Sequence, residues 1–334
     1  MTTIYHDDDG DLGLIRGKTI AVVGYGNQGR SWALNLRDSG ADVRVCVRAD
    51  ETRDEARKDG FETGELAEAS EIEIACILVP DDVISHLPLE RPAGGLTITA
   101  SGYAFGFDRW SPPGDLGMVA PRMLGPEVRR CYEEGAGFIT AVGVHRDVTG
   151  HALPRTLAVA KGIGGLREGA IELTPKQEAV LDLAVEQVLS PALAHVSQSF
   201  VMTMLGAGIP MEAILTELFM SGEVERSYRL LREVGFTGQL GFHSPASQYG
   251  QLSRRGAYDS LDFMSIMKRL TDDIESGRFA DEWDAESESG YQKLDALREQ
   301  FAGPAIQAME AAMRSQLGPG ARDGGESKGK GAEE

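Results

Sequence analysis

Residues 19–40 read TIAVVGYGNQGRSWALNLRDSG, and a change of hydrophobic period inside this stretch decides the first half of the fold. A short apolar run enters Gly24. The pattern then turns helical and stops at Gly40, the residue type that most readily ends a helix. Gly24-Tyr25-Gly26-Asn27-Gln28-Gly29 matches G-x-G-x-x-G at this strand-to-helix junction. In such a junction the first glycine permits a tight turn, the second lets backbone approach a pyrophosphate, and the third lets the helix pack close to the sheet. The helix N-terminus then presents free N–H groups to the anion. The pattern alone is weak; its place between strand and helix points to dinucleotide binding.

Outward from this turn the alternation continues. ADVRVCVR (41–48) predicts a second strand, RDEARKDG a helix and EIACILVP (73–80) a third strand, with short strands in LTITASG (96–102) and GMVAPR (117–122). Strands and helices alternating through short connections predict an α/β domain over residues 1–174, a Rossmann-type, parallel, doubly wound sheet. At Thr174 the character changes. Thr174, Pro175 and Gln177 form a capping box, and helical patterns then run nearly to Leu317, so an all-α domain is expected over 175–318. The glycine-rich, charged end predicts a disordered tail over 319–334.

Composition narrows the function classes. The 334 residues carry 33 basic and 52 acidic side chains, a net charge of -19, which repels polyanions and removes nucleic acid as an expected partner. The chain is 42% hydrophobic, and no uninterrupted apolar run approaches the ~18 residues of a bilayer span, so no membrane association is expected. MTTIYHDDDGDLG lacks the basic and apolar regions of a secretory signal, so a cytoplasmic location is expected. Cys46, Cys76 and Cys131 form no C-x-x-C pair; the first two, in strand-like runs, are expected to be buried reduced thiols.

The second strand ends in Arg48, Asp50, Glu51 and Arg53. An acid here takes the ribose 2'-hydroxyl of NAD, whereas arginines accept the 2'-phosphate of NADP. Asp50 and Glu51 oppose a phosphate that Arg48 and Arg53 would attract, so NAD is slightly favoured over NADP.

In TPKQEAVLDLAVEQVLSPAL (174–193), Asp182 and Glu186 stand four residues apart among apolar neighbours. A helix that buried this face would need a partner for both carboxylates, and a hard cation with oxygen ligands is one explanation. The alternative is that both lie at the rim of a packed face, with Glu178 as a third, solvated acid.

The segments YHDDDGDLGLIRGKTIAVVGYGNQG, ALNLRDSG, MVAPR, GIGGLREGAIELT, DLAVEQ, GRFADEW and ALREQ, spread in order over roughly residues 3–316, resemble the ketol-acid reductoisomerases of branched-chain amino acid biosynthesis. The resemblance implies a nucleotide-binding domain followed by a knotted helical domain that completes the active site in a homodimer. It also implies Mg2+ and a nicotinamide cofactor, and an alkyl shift in a small acetohydroxy acid followed by reduction. By position, Asp182 would bridge two magnesium ions, Glu186 would ligate one, and Ser244 and Glu217 would contact substrate.

The departures from this family cluster at its reactive centre. Where it has Ala-His-Gly, this chain has Ala100-Ser101-Gly102, and a serine has no pKa near neutrality with which to relay a proton. Where it has Pro-Lys-Gly-Pro-Gly, this chain has Pro121-Arg122-Met123-Leu124-Gly125, replacing an ammonium with a planar fork suited to a carboxylate. The family's second Glu-x-x-x-Glu pair is absent from ELFMSGEVERSY (217–228): Glu217 is the preferred match for its first acid, Glu223 the alternative, and an insertion of about three residues would turn the helix. The leading expectation is therefore an NAD(P)H-dependent oxidoreductase of a small keto, hydroxy or imino acid, with Ser101, Arg122, Asp182 and Glu186 at its centre. An authentic reductoisomerase converting 2-acetolactate to 2,3-dihydroxyisovalerate is the alternative, and a non-catalytic dinucleotide-binding protein a third.

Overall fold

A computed structural model of the chain describes residues 1–301 and 304–316. The expected tail, 319–334, lies outside the described residues. They form two compact units, Met1–Val185 with Asp273–Asp284, and Glu186–Asp272 with the residues from Ala285 onward.

The first unit is built on a nine-stranded sheet whose strands are β1 Ile4–Tyr5, β2 Thr19–Val23, β3 Asp42–Cys46, β4 Glu62–Gly64, β5 Ile74–Ile77, β6 Leu96–Thr99, β7 Asp115–Pro121, β8 Thr140–Arg146 and β9 Ala170–Glu172. Their spatial order is β1-β9-β8-β7-β6-β5-β2-β3-β4. The six from β4 to β7 are parallel and have the doubly wound order, with the winding reversing between β2 and β5. The sheet is not wholly parallel as expected. β8 runs antiparallel to β7, and β1 antiparallel to β9, because β8 returns directly from the helix after β7 instead of crossing over.

The helices of this unit are α1 Asn27–Asp38, α2 Glu51–Lys58, α3 Asp81–Ile84, α4 Tyr103–Gly106, α5 Gly125–Glu134, α6 Ala152–Gly162 and α7 Pro175–Ala184. Strand β2 shows why both sheet faces are covered. Ile20 and Val22 point into a core with Trp32, Leu36 and Ile98, while Ala21 and Val23 point into the opposite one with Ile77, Ile84 and Phe105. Cys46 and Cys76 are buried and unpaired as expected, and burial raises their thiols to about 11 and about 12. Buried Arg155 links Asp115 at the start of β7 to Glu73, and Asp115 also accepts from Val148 and Thr149 N–H, tying the loop after β8 to the sheet.

The capping box at α7 forms as read: Gln177 N–H donates to Thr174 Oγ1 at 3.2 Å and Thr174 N–H to Gln177 Oε1 at 3.0 Å. The helix buries Pro175, Glu178 and Ala179 and leaves Leu181 half exposed. The DLAVEQ face is thus uncovered, against the buried face expected. Asp182 is 52% exposed and Val185 46%.

The second unit contains α8 Ser190–Gly206, α9 Met211–Leu215, α10 Glu223–Gly238 and α11 Pro245–Arg254. Helices α12 Phe263–Glu275 and α13 Arg278–Glu288 are shared between the units, and α14 Gln292–Phe301 and α15 Pro304–Gln316 follow in the second. Helix α8 has no buried residue, and Phe236, Phe242 and Tyr249 are exposed by 62–73%. The helical run Pro175–Gly206, 32 residues, is long and apolar enough to cross a membrane by length and composition, which the count of uninterrupted apolar residues did not reveal.

Candidate active site

The carboxyl ends of β2, β5 and β6 lie side by side, with Val23 in register with Ile77 and Ile77 with Thr99. This is the point where the winding reverses, the usual place for a ligand in such sheets. The Gly24–Gly29 turn follows β2. Gly24 adopts φ +96°, and a Cβ there would stand 2.5 Å from the Leu78 carbonyl oxygen, so only glycine fits. At Gly26 a Cβ would meet nothing within 4 Å, which leaves backbone and open space where a pyrophosphate would approach the start of α1. Asn27 is exposed at the first position of α1.

Two of the expected cofactor residues turn their side chains elsewhere. Tyr25 is 3% exposed, and its hydroxyl donates to Asp59 Oδ2 at 2.7 Å, so only its backbone remains on the turn. Gln28 spans to the loop after β7, donating to the Met123 carbonyl at 3.1 Å and accepting from Trp32 Nε1. The β3–α2 loop needs a further correction. Arg53 donates inward to the Val47 carbonyl and to Glu65, and its side chain is 12% exposed, so it cannot serve as the phosphate acceptor expected. Asp50 caps α2 by accepting from Thr52 N–H, with Arg48 beside it at 3.6 Å and Glu51 exposed at the first helical position.

Next to the turn, on the β6 side, acids and a hydroxyl converge. Ser101 Oγ donates to Asp81 Oδ1 at 3.1 Å, while Gly102 N–H donates to Glu178 Oε2 at 2.6 Å. Arg122 Nη1 binds the other oxygen of Glu178, and Nη2 lies 3.4 Å from Asp182 Oδ1. Glu178 is 1% exposed, not the solvated acid of the alternative reading, because α7 packs this face on the turn after β6. Burial raises its pKa, Gly102 N–H and Arg122 pull it back, and Asp182 pushes it up again. Asp81 is raised to about 6, first by burial and then by the charges of Glu178, Asp182 and Asp82, against the lowering effect of the Ser101 hydrogen bond. Both terminal nitrogens of Arg122 are therefore engaged by protein carboxylates, which corrects the picture of a guanidinium free to clasp a substrate.

Among the described residues no three His, Cys, Asp or Glu side chains gather into a metal-binding group. Asp182 is exposed on α7, and Glu186 is exposed on a π-helical turn, Val185–Leu189, in the second unit. Each is a solvent-facing carboxylate, the type of oxygen donor that Mg2+ takes when water or substrate completes its shell. Glu217 lies exposed on a second π-helical turn, Thr216–Met220, and Gly222 follows at φ +76°. The π-helical turn and the left-handed glycine together interrupt the regular helix between Glu217 and Glu223. Ser244 caps α11, accepting from Ser247 N–H at 3.3 Å.

Sequence reasoning missed Glu178 and Asp81. The spacing 178, 182, 186 already placed Glu178 on the same helix face as the chosen pair. Asp81 follows the end of β5, the carboxyl edge where such sheets bind ligands, and that signal was available too.

The sequence profile of the acetohydroxy acid isomeroreductase NADPH-binding domain matches residues 14–169, and that of the ketol-acid reductoisomerase C-terminal domain matches 176–318. The chain belongs to the ketol-acid reductoisomerase family. It is 38% identical, over 89% of its length and 93% of the relative's, to the ketol-acid reductoisomerase (NADP(+)) of Caldivirga maquilingensis. An NADH-preferring ketol-acid reductoisomerase from an uncultured archaeon has the same fold with a TM-score of 0.85 at 30% identity, covering 95% of this chain and 99% of that one. The 1-pyrroline-5-carboxylate reductase of Streptococcus pyogenes shares the fold alone, with a TM-score of 0.51 at 13% identity over 77% of this chain and 98% of that one. The chain is thus an NAD(P)-dependent oxidoreductase of the reductoisomerase family, and its long apolar helix falls where the family's C-terminal domain begins.

Proposed function

We propose that the protein is an authentic ketol-acid reductoisomerase, converting 2-acetolactate to 2,3-dihydroxyisovalerate in branched-chain amino acid biosynthesis. The observation that carries this reading is the 38% identity to a reductoisomerase over 89% of the chain, which supports the alternative above over an enzyme that has lost the alkyl shift. When bound, Mg2+ polarises the substrate's oxygens and NAD(P)H supplies the hydride. Asp182 and Glu186 would hold the metal. Arg122, fixed by buried Glu178, keeps a permanent positive charge beside Asp182 and steadies the charge that develops on substrate oxygens. The open backbone at Gly26 and the N-terminus of α1 would seat the pyrophosphate. Asp50 and Glu51, with Arg53 turned inward, favour NADH over NADPH. The uncovered apolar faces of α7 and α8 suit a second copy of the chain, so a homodimer is part of this reading, with neither nucleic acid nor membrane as partner. Ser244 and Glu217 are its substrate contacts in the helical domain.

A second reading, reduction of a small keto, hydroxy or imino acid without the alkyl shift, is favoured by Ser101 and Arg122 standing where the family has histidine and lysine. One experiment separates the two. Purified protein is incubated with 2-acetolactate, Mg2+ and each nicotinamide in turn, and the product is identified. Dihydroxyisovalerate formed in step with NADH oxidation supports the reductoisomerase; turnover of simple keto or imino acids without it sinks that reading.

A further inference from the structure

The replacement of histidine by Ser101 leaves a hydroxyl where a proton must be handled, and a serine cannot hold a proton by itself. The structure supplies what it lacks. We propose that Ser101 and Asp81 form a proton relay, with Ser101 Oγ meeting the substrate hydroxyl and Asp81 receiving the proton behind it.

The geometry is specific. A hydroxyl has one donor and two acceptor sites. Ser101 Oγ spends its donor on Asp81 Oδ1 at 3.1 Å and one acceptor site on Tyr103 N–H at 3.4 Å, which leaves one lone pair for an incoming hydroxyl. Ser101 is partly exposed at the carboxyl end of β6, and Asp81 lies behind it at the carboxyl end of β5, beside the dinucleotide turn. The relay rests on the reductoisomerase reading, in which the alkyl shift begins when the substrate's tertiary hydroxyl loses its proton. That O–H bond breaks as a new one forms to Ser101 Oγ, while Ser101's own proton passes to Asp81. No electrons leave the substrate in this step; the protonated Asp81 returns its proton along the same path to the alkoxide that the shift leaves, and the proton consumed by the later reduction comes from solvent.

Asp82 beside it on α3 and Glu178 and Asp182 on α7 are acidic and favour uptake of a proton at Asp81, while Arg122 at the end of β7 pairs with Glu178 and Asp182 and offsets part of their charge. A carboxyl raised to about 6 is well matched to accept and return a proton near neutrality.

The test compares wild type, Asp81→Asn, Asp81→Glu, Ser101→Ala and the Asp81→Asn/Ser101→Ala pair with acetolactate, Mg2+ and NADH. Asp81→Asn is expected to lower kcat about a hundredfold, the usual scale for a lost proton-transfer group, and to flatten the acid limb of the pH profile. Its NADH Kd stays within about twofold of wild type, and Asp81→Glu recovers part of the rate. The pair falls no further than the worse single variant, because both residues serve one path. A rate for Asp81→Asn within twofold of wild type, or a pair whose losses multiply, overturns the relay. A second readout does not depend on the substrate: the Asp81 carboxyl is followed by 13C NMR, assigned by its loss in Asp81→Asn. Ser101→Ala should move its titration to higher pH, and no movement overturns the dyad. If wild type fails to convert acetolactate while that movement is seen, the functional reading falls and the dyad stands.

Discussion

Asp81→Asn carries a prediction about stability as well as turnover, and the two run in opposite directions. The native carboxyl titrates near 6 instead of its ordinary 3.8, so folding disfavours its ionised form. Below about pH 4 the group is protonated in both folded and unfolded chains and costs nothing. As pH rises from about 4 to 6 the unfolded chain releases the proton first, and the cost to the fold grows to about 3 kcal/mol at ~1.36 kcal/mol per pH unit. Asparagine has the same shape, can still accept from Ser101, and never ionises. Allowing for the partial exposure of Asp81 and a weaker hydrogen bond to an amide, the variant should gain about 1–2 kcal/mol at pH 8 and almost nothing at pH 4. Urea midpoints followed by tryptophan fluorescence are the assay, since Trp32, Trp110 and Trp283 all belong to the first unit. A variant less stable than wild type at pH 8, or a difference that does not change with pH, would refute the argument that desolvation dominates at this carboxyl.

Three further outcomes follow from the same geometry. Glu178→Ala leaves Gly102 N–H and one end of Arg122 without their buried acceptor; because Arg122 is 27% exposed and keeps Asp182, the loss should be about 2 kcal/mol, short of the full cost of an isolated buried charge, read from the same midpoints. Arg53→Ala should leave the NADPH to NADH affinity ratio within about twofold of wild type, while Asp50→Ala raises that ratio about fivefold by removing an acid that a 2'-phosphate would meet, measured by nucleotide fluorescence titration. Asp182→Ala should abolish Mg2+-dependent turnover and weaken Mg2+ binding in calorimetry, with NADH affinity unchanged.

Much of the first domain was legible because its signals are local. A strand that buries both faces reads as an apolar run, a glycine with positive φ reads as glycine, and the capping box at Thr174 reads from three residues. The antiparallel return at β1–β9 was not legible because β1 and β9, two and three residues long, are too short for a period to show, and that at β7–β8 was not because the direction of pairing is set by how the chain returns through α5 and not by either strand's own sequence. The candidate site divides in the same way. Ser101, Arg122 and Asp182 were found from their place in a pattern, whereas Asp81 and Glu178 are given their properties by neighbours 20 and 56 positions away.

By itself, the order of residues determined a doubly wound dinucleotide domain, a helical domain after Thr174 and membership of one enzyme family. These are matters of periodicity, turn chemistry and motif, all written within a few tens of residues. Only the tertiary structure decided that Tyr25 bonds Asp59 and Arg53 bonds Val47 and Glu65, that Glu178 is buried on Gly102 and Arg122, and that Ser101 has a carboxylate behind it. Burial and charge partnership depend on which distant segments meet, and a side chain's protonation and reach depend on both.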